Sequence, residues 1–264
     1  MALIRAATFN ILHGMSPSDG GTDPERLRSA VTELDADVLA LQEVDRSQPR
    51  SGEVDQTALV ADALDARWSR FVPSVHGTPS EVRTWAPASA VDGAETVGPT
   101  YGIGLVSRLP VRSWWVKRFP AAPFKLPLVV PGEARPRLLL IPDEPRLALA
   151  AVVTGPNGPF TVVTAHLSFV PGYNARQLRA IARWVARMPA PVLFMGDFNL
   201  PGGLPSRLTG WAALASSPTY PAVSPKVQLD HVLALGLVAA DVRDSRAWEL
   251  PVSDHRALSV DVRI

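Results

Sequence analysis

Apolar residues arrive along this chain in short runs, and many of those runs end in a polar group. Residues 3–10 (LIRAATFN) are enough for one buried strand and too few for a helix. Asp23 before Pro24 is an N-cap followed by proline in the first helical position. Leu27, Ala30, Val31 and Leu34 follow at helical spacing, so a helix is expected there. Residues 37–42 (DVLALQ) predict a strand, 56–64 a second helix and 68–75 another strand. Residues 101–107 and 111–119 are strand-like and are joined by a turn at Arg108, Leu109 and Pro110. Residues 147–154 and 160–167 flank Gly155-Pro156-Asn157-Gly158, which predicts a β-hairpin. Residues 175–188 carry Leu178, Ile181, Ala182 and Val185 on one helical face, and further strands are expected at 191–196, 232–235, 237–242 and 257–262.

Two stretches break this pattern. Residues 76–100 are rich in Pro, Gly, Ser and Thr, and read as a long loop. Residues 120–145 hold seven prolines and no helical period, and read as an irregular excursion or a hairpin. Long connections of this kind are uncommon in compact domains and are often functional, so both are candidates for substrate specificity. Many strands, a few helices and strong hairpin signals predict an α/β (α+β) fold of mixed sheets covered by helices. No linker divides the chain, and residues 1–264 are expected to form a single domain.

Composition narrows the chemistry. A chain of 264 residues with 47% hydrophobic and 19% charged residues can bury a large core and is far from the disordered range. The absence of cysteine excludes disulfides, thiolate metal sites and cysteine nucleophiles. The first seven residues run straight into a strand, and no apolar run reaches membrane-spanning length. A cytoplasmic monomer is therefore expected. A net charge of +1 excludes a polycation that coats nucleic acid indiscriminately. The only lysines are Lys117, Lys125 and Lys226, and the remaining basic residues are arginines, which suit bidentate phosphate contacts.

The polar groups at the strand ends are all of types that bind metals or move protons. One run ends in Asn10, another in Gln42-Glu43, a third in His166 and a fourth in Asp197-Phe198-Asn199. In α/β sheets, ligands and catalytic groups collect at the carboxyl ends of strands, so strands lying side by side would bring these residues to one rim. Two acid–histidine pairs follow, Asp230-His231 and Asp254-His255. Strand neighbours point to opposite faces, which sends His231 away from any site that holds Asp230. The turn composition of residues 251–255 lets Asp254 and His255 face one site together. Nothing fixes a role for His13 or His76, which fall in loops. Asn10, Glu43, Asp197, Asn199, Asp230 and Asp254 form an oxygen-rich set, which favours Mg²⁺, Mn²⁺ or Ca²⁺ over zinc, and Mg²⁺ or Mn²⁺ is the usual partner of a phosphate oxygen. A histidine oriented by a carboxylate completes the requirements for cutting a P–O bond with water.

Taken in order, the segments Thr8-Phe9-Asn10, Leu41-Gln42-Glu43-Val44, residues 104–110 (GLVSRLP), Thr164-Ala165-His166-Leu167, Gly196-Asp197-Phe198-Asn199, Leu229-Asp230-His231 and Ser253-Asp254-His255 resemble the endonuclease/exonuclease/phosphatase superfamily of DNase-like phosphoesterases. The resemblance implies a four-layer sandwich, two packed mixed β-sheets flanked by helices, with the site where two pseudo-symmetric halves meet. It also implies that Glu43 is the main metal ligand, supported by Asn10, and that Asp254 completes a metal site. Asp197 and Asn199 would orient the attacking water and the phosphate, and Asp230 would orient His255. His255 would be general base or phosphate contact, and His166 would bind the phosphate or assist the leaving group. Leu12 stands where some relatives carry an aspartate that helps hold a second metal. His166 stands where abasic-site nucleases carry tyrosine.

Three functions compete. A nuclease acting on DNA or RNA is slightly favoured and predicts a groove lined by arginines such as Arg46, Arg50, Arg83 and Arg108, with Trp85 available to stack a base. A phosphatase or phosphodiesterase for a small molecule or lipid headgroup predicts a pocket walled by 76–100 and 120–145, with the apolar stretch 119–130 available to a membrane or partner. A non-catalytic binding domain is disfavoured by the complete ligand set.

Overall fold

Side chains alternate across each strand, and this alternation sorts the apolar residues onto three buried surfaces. The computed structural model describes residues 3–79, 85–89, 98–130 and 137–264. The chain opens with β1 (Leu3–Asn10), α1 (Pro24–Leu34), β2 (Val38–Arg46), α2 (Gln56–Ala63), β3 (Trp68–His76), β4 (Ala86–Pro87) and β5 (Thr100–Ser107). It continues with β6 (Val111–Phe119), β7 (Lys125–Val130), β8 (Arg137–Pro142), β9 (Arg146–Gly155), β10 (Gly158–His166), α3 (Tyr173–Val185) and β11 (Val192–Asp197). α4 (Leu204–Thr209), β12 (Ala212–Ala213), β13 (Asp230–Leu235), β14 (Val242–Trp248) and β15 (Ala257–Arg263) complete it. One seven-stranded sheet has the order β14-β15-β1-β2-β5-β3-β4, and one six-stranded sheet has the order β12-β13-β11-β10-β9-β6. Both are mixed: β1 runs parallel to β2 but antiparallel to β15, and β10 runs parallel to β11 but antiparallel to β9.

The inner faces meet in one core. Ala6, Val38, Ala40 and Leu105 of the larger sheet pack with Leu149, Ala151, Val162, Leu193 and Met195 of the smaller. Their odd-and-even neighbours face outward under helices. Ala7, Phe9, Leu39 and Leu41 pack with the α1 residues Leu27, Ala30, Val31 and Leu34. Ala148, Ala150, Val163 and Phe194 pack with Leu178, Ile181, Ala182 and Val185 of α3. The result is helix, sheet, sheet, helix, the α/β sandwich the sequence predicts, with the expected faces of α1 and α3 buried. Asp23 caps α1 by accepting from the Glu25 amide at 2.9 Å, and Asp55 caps α2 by accepting from Ala58 at 3.0 Å. Among the described residues no helix is long and apolar enough to cross a membrane.

Some elements differ from expectation. Residues 237–241 do not form a strand: Ala239–Asp241 is a 3₁₀ turn, and the strand, β14, begins only at Val242. β14 is a sheet edge with mostly exposed residues (VRDSRAW), so it carries no two-residue apolar alternation to read. The expected turn at Arg108–Pro110 is present and carries the chain from β5 in one sheet to β6 in the other. Residues 120–145 supply the β7–β8 hairpin, paired from Lys125↔Pro142 to Val130↔Arg137. The parts of the two long stretches at 80–84, 90–97 and 131–136 fall outside the described residues, as does Arg83.

Candidate active site

Parallel pairing places the expected residues on one rim. β1 and β2 pair with Asn10 opposite Gln42, and β10 and β11 with His166 opposite Asp197. β13 starts antiparallel at that same end, with Asp230 opposite Asp197. β15 starts two residues after His255. The two sheets are stitched together below the rim by Gln42, whose Nε2 donates to Thr164 Oγ1 at 3.0 Å while its Oε1 accepts from Thr8 Oγ1 at 3.1 Å.

Unusual backbone aims the side chains inward. Pairing of β2 with β5 slips between Leu41 and Val44, a bulge that contains Glu43 at φ 56°. A bulge re-aims a side chain that regular pleating would direct elsewhere. Asn199 at φ 49° and Ser253 at φ 75° also occupy the left-handed region. Such conformations are costly without glycine and gather at functional sites. Gly196 answers a different demand. A Cβ there would stand 1.9 Å from the Ala165 carbonyl oxygen, so only glycine lets β11 lie close enough to set Asp197 beside His166.

The contacts form a continuous network. Asn10 Nδ2 donates to Glu43 Oε1 at 3.0 Å and to Asp197 Oδ2 at 3.1 Å, while its Oδ1 accepts from the Leu12 amide at 3.1 Å. Asp197 Oδ1 accepts from the Asn199 amide at 3.0 Å. Asn199 Nδ2 lies 3.3 Å from His166 Nε2 and donates to the Leu167 carbonyl at 3.0 Å. The two histidines flank Asp197, with His166 Nε2 3.6 Å and His255 Nε2 3.8 Å from its Oδ2. The Nδ1 of His255 contacts Asp230 Oδ2 at 2.8 Å. Asn10, His166, Asp197, Asp230 and His255 are buried, and Glu43, Asn199 and Asp254 are half-buried.

Charge is concentrated here. Burial alone would pull the His255 imidazole down, but Asp230, Asp197 and Asp254 outweigh it and push it up to about 10. His166 moves the other way, well below its ordinary value, because of burial and then the nearby positive charges of Arg146 and His255. Asp197 is pushed up to about 6, mainly by burial, against the pull of His255. Glu43 is raised by burial, with Asp254 and Asp197 adding to it. Ligand-capable atoms of Asp197, Asp230 and His255 lie within 4.8 Å of one another, and Asp230 Oδ1 is buried with no hydrogen-bond partner. Four carboxylates around one imidazolium, with a buried acceptor unsatisfied, fit a hard divalent cation better than any softer ion.

The network also includes residues the sequence does not single out. Tyr220 packs its ring 4.9 Å from that of His255. Ser253 donates to the Asn10 carbonyl at 2.5 Å and accepts from the His255 amide at 3.0 Å. Buried Arg146 sits at the start of β9, on the same rim. No periodicity marks a lone tyrosine or arginine in a loop or at a strand end. His231 points away as expected: it stacks on Phe198 at 5.4 Å and its Nε2 meets the Leu200 carbonyl at 2.8 Å. His76 closes β3 rather than lying in a loop, and Trp85 is buried against Val75 and Tyr101. Three of the four arginines expected in a groove have structural partners. Arg50 makes a bidentate pair with buried Asp45 at 2.8 Å, and Arg46 lies over the Phe71 ring at 4.8 Å. Arg108 binds Asp35 and the Leu64 carbonyl, and its own amide donates to Asp37, at the opposite end of β2 from Glu43.

No curated protein sequence matches the chain. Solved structures do. An endonuclease/exonuclease/phosphatase from Beutenbergia cavernae DSM 12333 superposes with TM-score 0.67 at 22% identity, covering 100% of this chain and 72% of that one. A mannosyl-6-phosphatase from Bacteroides thetaiotaomicron VPI-5482 superposes with TM-score 0.60 at 14% identity, covering 99% and 100%. Sphingomyelinase C from Streptomyces griseocarneus superposes with TM-score 0.58 at 14% identity, covering 100% of both chains. At the sequence level the model of the Endonuclease/Exonuclease/phosphatase family matches residues 7–255, which span every strand-end group described above. The chain therefore belongs to the Endonuclease/Exonuclease/phosphatase family of divalent-metal-dependent phosphoester hydrolases.

Proposed function

We propose that the chain hydrolyses phosphoesters of small molecules or lipid headgroups, rather than nucleic acid. The observation that carries this reading is where the arginines go. A nucleic-acid groove needs cations free to meet successive phosphates. Arg50 and Arg108 are instead paired with Asp45 and Asp35, Arg108 lies at the far end of β2, and Arg46 lies over the Phe71 ring with its Nη2 buried.

In this reading Glu43 and Asp254, with Asn10 orienting Glu43, hold Mg²⁺ or Mn²⁺. When bound there, such an ion would supply Lewis-acid polarisation of a phosphate oxygen and offset the charge that develops on it. Asp197 accepts the proton of the attacking water, since its carboxyl is already pushed up to about 6 by burial. Asn199 keeps Asp197 and His166 in register through contacts to both. His255, held by Asp230 and pushed up to about 10, donates from Nε2 to a phosphate oxygen. His166 stays neutral and serves the leaving oxygen.

One feature favours the nuclease alternative. Arg176, Arg179 and Arg183 form an exposed row on α3 and line a cavity with Phe119 and Tyr173. The test is hydrolysis of plasmid DNA, single-stranded RNA, bis-aryl phosphate, inositol phosphates and sphingomyelin with Mg²⁺, Mn²⁺ or a chelator. The expected result is chelator-sensitive cleavage of the small or lipid esters alone. Cleavage of DNA or RNA at a higher kcat/KM than any of these would reverse the assignment.

A further inference from the structure

Beside the catalytic rim is a cavity of about 730 Å³ whose walls come from both long stretches of the chain. Trp85, Pro87 and Ala88 form one side, and residues 118–125 form the other. Its lining is largely apolar, with Phe119 and Phe124 among the rings. At its inner edge stands Arg146, a buried arginine only 5% exposed whose Nε has no hydrogen-bond partner. The acids next to it pair with its Nη2 only at long range and leave Nε open. Asp143 Oδ1 and Glu144 Oε1 stand 3.5 and 3.4 Å from its Nη2, and Asp143 Oδ1 and Glu144 Oε2 are themselves buried without hydrogen-bond partners. A buried polar cluster with open donors and acceptors is expensive unless something completes it.

Topology joins this cavity to the reacting centre. β9 runs antiparallel to β10 with Ala148 opposite Ala165, so Arg146 at the start of β9 lies at the end of β10 that carries His166. Asp143 Oδ2 accepts from both the Ala122 amide and Ser168 Oγ at 2.9 Å, tying the cavity wall to the segment just after His166. Arg146 is close enough to depress the His166 imidazole and to feel Glu43.

Resting on the small-substrate reading above, we infer that this cavity receives the apolar part of the alcohol esterified to the scissile phosphate. Arg146 is its specificity-determining residue and its guanidinium donates to an oxygen of that alcohol. The preferred substrate is then an amphiphilic phosphoester: an apolar body, a polar oxygen near the ester, and the phosphate on the rim. A bare phosphate or a compact hydrophilic ester would leave the cavity empty and Arg146 unsatisfied.

The experiment compares two inert ligands by calorimetry with Mg²⁺ present, methylphosphonate and naphthylmethylphosphonate. The expected result is affinity for the naphthyl compound at least about tenfold higher, since burying two fused rings removes a large apolar area from water. Phe124→Ala, at an exposed wall residue outside the buried core, should collapse that ratio. The naphthyl compound has no alcohol oxygen, so Arg146 is tested with its 2-hydroxylated analogue. The hydroxyl should add affinity in the wild type, and that gain should vanish in Arg146→Lys, which keeps the charge and removes the guanidinium fork. Equal affinities for the two phosphonates, or a ratio that Phe124→Ala leaves intact, would overturn the inference. If small esters are hydrolysed with no preference for apolar alcohols, the inference fails and the small-substrate reading stands. If only nucleic acid is cut, that parent reading fails.

Discussion

Asp230 reaches His255 through one 2.8 Å contact, and its second oxygen is buried with no partner. Removing His255 would leave that buried carboxylate with no partner, so turnover has to be compared on variants shown to be folded. His255→Ala and Asp197→Asn are each expected to lower kcat by about two to four orders of magnitude, the usual size of a lost proton-transfer or charge-stabilising group. Stopped-flow or steady-state hydrolysis of a bis-aryl phosphate checks this, and full activity in either variant would remove that residue from the mechanism. His231 offers a contrasting test. Burial pushes its imidazole down to about 4, so the unfolded chain binds the proton more readily than the folded one. Its contribution is fully present above the unfolded value near 6.5 and is lost as pH falls through 4, an effect of up to about 3 kcal/mol. Urea unfolding of wild type and His231→Gln between pH 7 and 4 should show the wild type losing stability faster. Parallel curves would show that His231 is not held neutral. Acid loss of catalysis, expected as Asp197 takes up a proton near 6, can then be separated from acid loss of the fold, which follows His231 down towards 4.

At the scale of elements, the site depends on how closely two parallel strands approach. β10 and β11 bring His166 opposite Asp197 only because Gly196 has no Cβ to meet the Ala165 carbonyl at 1.9 Å. Gly196→Ala must push the strands apart or twist them. The expected result is a stability loss of a few kcal/mol, on the order of a severe core substitution, together with a fall in kcat from the widened His166–Asp197 gap. Thermal unfolding and hydrolysis rates measured on the same variant would show both, and an unchanged Tm would contradict the close approach. This geometry also explains what could be read from sequence. Strands with one buried face and capped helices were legible because burial imposes a period, as in Leu27, Ala30, Val31 and Leu34 or in Leu178, Ile181, Ala182 and Val185. Polar groups that end such runs, such as Asn10, Glu43, His166 and Asp197, stood out against the apolar background. β14 and α4 did not, because an exposed edge strand and a six-residue helix bury too little to leave a pattern. Tyr220 and Arg146 were invisible for a different reason: each reaches the site from a turn or a strand end, where position follows from tertiary contacts alone.

For the whole molecule, the rim brings together acids from both halves of the chain. Glu43 comes from β2, Asp197 from β11, Asp230 from β13 and Asp254 from the turn before β15, with His255 as the cation among them. Without a counter-ion, mutual repulsion among these carboxylates works against closing the two sheets on each other, and Asn10 is the main neutral bridge between Glu43 and Asp197. A divalent cation bound here should therefore stabilise the fold as well as support hydrolysis. At 100 times its Kd such a ligand adds about 2.7 kcal/mol. For a chain of this size that corresponds to a Tm increase of roughly 5–10 °C. The rise is expected with Mg²⁺ or Mn²⁺, and not with NaCl at equal ionic strength, since buried pairs are weakly screened. Glu43→Gln, which keeps the contact volume and removes one charge, should raise the Tm of the metal-free protein slightly while reducing the metal-induced shift. Differential scanning calorimetry with and without a chelator reads both effects. A shift of the same size in wild type and Glu43→Gln would remove Glu43 from the ligand set, and the absence of any shift in wild type would mean that the cation binds only together with the substrate phosphate.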